Sequence, residues 1–156
     1  MYSPVQHKKG FTLLEVMIFT TILSVVLVSA AAFTTRLVYN LRINEHKILA
    51  NVYAAELLEW LSSEREANWN NVYGMAGAAP GTTYCANQNV EIDTVSFPSG
   101  ACATFTGITG RTPTIFKREL IMMRNNPNQI TATVRVSWQE GSNTYADEIQ
   151  AIYTSW

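Results

Sequence analysis

From Phe11 to Thr35 the chain runs 25 residues with one ionisable group, Glu15, set among Leu, Val, Ile, Phe, Met, Ala, Ser and Thr. As a helix that run would rise about 37 Å at about 1.5 Å per residue, enough to cross a hydrocarbon core of about 30 Å. A stretch so long and so apolar predicts a membrane-spanning helix, which leaves the remaining residues to build at most one small domain on one side. The exception within it is informative. A carboxylate at a helix centre costs about 2.5–3.5 kcal/mol on insertion scales, so Glu15 reads as a functional group that needs a partner.

Charge sets the expected orientation. Lys8 and Lys9, with His7, flank the N-terminal side of the run and predict a cytoplasmic N-terminus with the C-terminal domain outside. Without the first ten residues, 9 basic residues face 12 acidic ones, a net charge of −3. That balance leaves no basic stripe for nucleic acid, and no nucleic-acid contact is expected. Two cysteines, Cys85 and Cys102, lie on the outer side. An even count in an oxidising compartment favours a disulfide over two free thiols. Two cysteines alone make no zinc site, and no metal or cofactor is expected.

The order Lys8-Lys9-Gly10-Phe11-Thr12-Leu13-Leu14-Glu15-Val16 closely resembles the N-terminus of type IV prepilins and of the pseudopilins of type II secretion. The resemblance is specific from Lys8 to about Ala32 and architectural beyond. It implies a leader, residues 1–10, recognised through Lys8, Lys9 and Gly10 and cut between Gly10 and Phe11 by prepilin peptidase. It further implies methylation of the new amine on Phe11, and Glu15, the fifth mature residue, as the group that steers assembly. The implied partners are other pilin or pseudopilin subunits, the peptidase and methylase, an inner-membrane assembly platform and membrane lipid. The implied location is the bacterial inner membrane as a single-pass precursor, then an extracytoplasmic filament. Major pilins of this family often carry a proline in the membrane half of the helix. Positions 11 to 79 here have none, which fits a minor subunit better than a bulk one.

No glycine or proline stands between Phe11 and Tyr73, so one extended helix is expected, 11–35 in membrane or filament core and 36–73 as its amphipathic continuation. Leu37, Leu41, Ile48, Val52 and Ala55 share one face; further on Tyr53, Leu57, Trp60 and Leu61 rotate it. Such a change suits a helix that leaves neighbouring helices and docks on a sheet, and Gly74 and Gly77 would end it. Residues 74–114, rich in Gly, Ala, Thr, Ser, Asn and Pro, read as a long connection with short extended pieces such as Val90 to Ser96. Ile130, Ala132, Val134, Val136 and Trp138 then alternate with polar neighbours, a half-buried strand. With Ile115–Arg124 and Thr144–Thr154 it predicts a three-stranded antiparallel meander covering the second half of the helix. The expected class is α+β, with residues 74–156 forming the outer domain.

Nothing converges as an enzyme site would require, and no catalytic residue is expected. His46 reads as a solvated helix-surface histidine. Glu56, Glu59, Glu64 and Glu66 share a helix with Arg65 and read as a hydrated face. Asp147 and Glu148 are strand neighbours whose side chains must diverge. Trp60 and Trp138 read as core, and Trp69 and Trp156 as caps on it. Three rival functions stand beside a pilus subunit: a secretion or competence pseudopilus subunit, an anchored binding module that never polymerises, and ordinary secretion. The last would use Ala30-Ala31-Ala32 and start the mature chain at Phe33. Glu15 argues against both of the latter, since neither needs an acid in its apolar run.

Overall fold

A computed structural model describes residues 10–90 and 96–155. The expected leader cations Lys8 and Lys9, most of the extended piece between Val90 and Ser96, and Trp156 lie outside the described residues. The elements run α1 (Leu13–Ala67), α2 (Trp69–Met75), β1 (Thr82–Cys85), β2 (Phe116–Asn126), β3 (Gln129–Glu140) and β4 (Asn143–Thr154). The chain divides into two units, one ending at Arg42 and one beginning at Ile43.

In the first unit, the described residues are α1 as far as Arg42 and the turn before it. Apolar side chains cover every side of this helix, and all are exposed, from Leu13 to Leu41. The best window of α1 has a mean hydropathy of 2.4 and none of it is buried, so its length and composition suffice to cross a membrane. A helix apolar all round and left exposed among the described residues calls for lipid or other helices.

The second unit is a helix laid on a sheet. Ala50, Tyr53, Ala54, Leu57 and Leu61 recur at helical spacing and are buried. They share one core with Phe116, Leu120 and Met122 of β2 and with Ile130, Ala132, Val134, Val136 and Trp138 of β3. All five positions of the predicted alternation are buried, because a period of two sends each to the same face. The sheet is antiparallel in the order β1-β2-β3-β4. Gly141, at φ +60°, opens the two-residue loop between β3 and β4 as a type II′ turn requires.

The structure departs from the sequence reading in two places. The meander has a fourth strand, since Thr82–Cys85 pairs antiparallel with Glu119–Met122 inside the stretch read as a connection. The long helix ends earlier, at Ala67. Asn68 adopts an extended conformation (φ −159°, ψ 101°), and its side-chain oxygen accepts from Asn70 N–H at 3.0 Å, capping α2. Gly74 lies inside α2 and ends nothing. As the rotation of the apolar face leads one to expect, Leu41, Ile48, Val52 and Ala55 are exposed, while the rotated face docks on the sheet.

Candidate functional site

Gly10 and Phe11 precede the helix and are exposed, Phe11 by 83 %. Gly10 lies outside the left-handed backbone region, and a methyl group built on it would meet nothing within 4 Å. Among the described residues nothing demands a glycine at this position. Thr12 caps α1: Glu15 N–H donates to Thr12 Oγ1 at 3.3 Å and to Thr12 O at 3.1 Å, and Val16 N–H donates to the same carbonyl at 3.3 Å. The Thr-x-x-Glu spacing is half of a capping box, a signal legible in the sequence but not read there. It sets Glu15 in the first turn, where the helix dipole favours a negative charge. Phe11, Glu15, Val16 and Phe19 line one shallow groove on this otherwise apolar helix. The first and fifth residues of the expected mature chain thus share a face.

Residues 6–31 match the family model of the prokaryotic N-terminal methylation motif. The N-terminus is of prepilin type. This prepilin-type stretch is consistent with the type IV pilin and pseudopilin family; the sheet lies outside the match. No curated protein and no solved structure matches the chain. The motif points to a structural protein, and the apolar N-terminal helix fits a membrane anchor.

Cys85 on β1 and Cys102 are joined by a disulfide. The peptide around Cys102 is held independently, because Cys102 N–H donates to the buried Glu119 Oε1 at 3.0 Å. Glu119 also takes Lys117 Nζ at 3.3 Å.

Three polar residues sit differently from expectation or were missed. His46 is largely buried: its Nδ1 faces Glu140 Oε1, and its ring stands edge-on to Phe116. The strand end reaches back over the helix at this point, which a helical wheel cannot show. Glu56 is not on a hydrated face either, since it meets Arg111 at 3.2 Å and Arg118 at 3.9 Å. Arg118 is fully buried, donating to the carbonyls of Ala86, Tyr53 and Gln88 at 2.8 Å each. Burial lowers its pKa to about 10, against the opposing pull of Glu56. Burial also raises the pKa of Tyr53. Asp147 and Glu148 do diverge, Asp147 toward Lys47 and Asn51, Glu148 toward Arg135. Among the described residues no three His, Cys, Asp or Glu side chains converge as a metal site needs.

Proposed function

We propose that this chain is a precursor of a subunit, of the minor kind, in a type IV pilus or a related secretion or competence pseudopilus. Lys8, Lys9 and Gly10 direct prepilin peptidase to the bond before Phe11, whose new amine is methylated. Residues 1–10 are the leader, 11–35 the membrane and filament-core segment, 36–73 its continuation and 74–156 the outer domain. The N-terminus faces the cytoplasm, and assembly moves the domain outward on a helix that leaves the bilayer for a bundle of its fellows. Other pilin-type subunits, the peptidase and methylase, an inner-membrane platform and lipid are its partners.

The observation that carries this reading is the methylation motif, set at the start of a helix where Phe11 and Glu15 line one groove and whose membrane-length segment is exposed among the described residues. Gly10 supports it from another side. A glycine that the fold does not need is explained by an enzyme that must close on the backbone there. Glu15 acts as a register key. Alone in lipid its carboxylate lacks a partner. Paired with the amine of a neighbouring subunit it becomes a buried ion pair that is costly to break from one side, by about 3–5 kcal/mol. One axial offset between subunits is thereby favoured over others.

Intact mass of membrane-extracted protein tests the cut: loss of Met1 to Gly10 plus one methyl group is expected, and a chain starting at Phe33 would overturn the reading. Glu15→Gln should be inserted and cut as wild type yet recovered several-fold less in sheared filaments.

A further inference from the structure

The two edges of the sheet are finished differently. β1 is short, and its outer side is covered by the segment around Ser99. Cys85 N–H donates to Pro98 O at 3.0 Å, Gly100 N–H to Thr83 O at 2.8 Å, and Tyr84 bridges to Ser99. The Cys85–Cys102 bond tethers that cover. β4 is the other outermost strand, 12 residues long and paired with β3 without a bulge. It contains no proline, glycine or lysine, residues that commonly blunt sheet edges. On its outward face Ile152 is 62 % exposed. One backbone donor is occupied locally, since Glu148 N–H meets Asp147 Oδ1 at 3.1 Å.

We propose that the β4 edge receives an extended strand from a different subunit of the same assembly, an inference that rests on the assembly role given above. A second copy of this chain does not fit. Within the C-terminal unit α1 runs alongside β4 in the same direction, Asn51 reaching Asp147 and the Leu58 carbonyl reaching Tyr153. A symmetric antiparallel β4 pair would point the two C-terminal units in opposite directions, whereas subunits of the assembly proposed above share one direction. A parallel pair would set Asp147 and Glu148, each with its own cation Lys47 or Arg135, against the same groups of the other copy, like facing like. The strand carries those two acids and no base, and like charges across a strand pair are destabilising. The β1 edge of a second copy is covered. What fits is a strand of another sequence with a Lys or Arg opposite Asp147 and Glu148 and an apolar residue near Ile152. Main-chain hydrogen bonds along β4 supply the affinity and those side chains the choice of partner.

The test places photoreactive benzoylphenylalanine at Ile152 of the full chain and irradiates intact assemblies, with peptides identified by mass spectrometry. Hydrogen exchange is measured in parallel on detergent-extracted and filament-bound protein. We expect a crosslink to one extended segment of another subunit, with amide exchange at Gln150, Ile152 and Thr154 slowed about tenfold or more on assembly. Ile152→Lys should unfold at the wild-type temperature yet lose the partner from the assembly. A wild-type chain that enters filaments with unchanged β4 exchange, or that crosslinks to its own copies or to lipid, overturns the inference and leaves the subunit reading intact. A wild-type chain absent from filaments removes both.

Discussion

Arg118 occupies a position that its neighbours in sequence reserve for apolar groups. Phe116, Leu120 and Met122 share its parity on β2 and are all fully buried. That parity was available in the sequence and marks Arg118 as inward-facing. Its partners were not, because the carbonyls of Tyr53, Ala86 and Gln88 come from three separate stretches of chain. Arg118→Met should therefore cost about 3–5 kcal/mol, since it strands three buried carbonyls and leaves Glu56 to Arg111 alone. Arg118→Lys keeps the charge but replaces a planar fork with one ammonium, and should still cost about 2 kcal/mol. Thermal unfolding in detergent reads both. An unchanged midpoint for Arg118→Met would mean water serves those carbonyls. Gly107 offers a second residue-scale check. Its φ is +83°, and a methyl group there would stand 2.7 Å from Thr114 Cα. Gly107→Ala should lower stability by about 1–3 kcal/mol, measured by the same melts.

At the scale of elements, α1 carries two apolar stripes with different fates. Tyr53, Leu57 and Leu61 are covered by the sheet, while Ile48 and Val52 are 65 % and 54 % exposed. Leu57→Ala should cost about 2–5 kcal/mol through the cavity it leaves. Ile48→Ser with Val52→Ser should change stability by no more than about 0.5 kcal/mol each, yet reduce recovery in sheared filaments several-fold. Equal recovery would mean the outer stripe meets nothing in the assembly. The sequence made both stripes legible through helical spacing, and β3 through five alternating pairs. β1 was illegible for a physical reason. Four residues, Thr82 to Cys85, are too few for a period to show, and what makes them a strand is the register offered by β2. The helix end was misplaced because Asn68 stops α1 by capping its successor, a local hydrogen bond that competes with helix continuation.

On the scale of the whole molecule, the boundary between the two units falls after Arg42, inside the expected helix continuation 36–73, so the helix from Ile43 onward belongs with the sheet. The first has no polar face at all, and the second alternates. The methylation motif belongs wholly to the first, and it made Gly10, Phe11 and Glu15 candidates before any coordinates. The second unit's contribution was hidden, since an edge strand looks like any other until its neighbours are known. Among the described residues β1 is covered and β4 is the uncovered outer strand, which on the inference above gives the sheet a combining number of one. Such a unit behaves in strand pairing as a chain terminator does in polymer chemistry: it joins one partner and propagates no further. The Cys85–Cys102 bond and the Cys102 N–H to Glu119 hydrogen bond hold that cover together, so cutting the bond loosens the cover and raises the share of molecules with two open edges. Reduced and alkylated protein in detergent should then associate end to end with rising concentration, seen as a growing scattering mass, while oxidised protein holds a constant one. Constant mass in both forms would show that the strand cover stays in place without its tether.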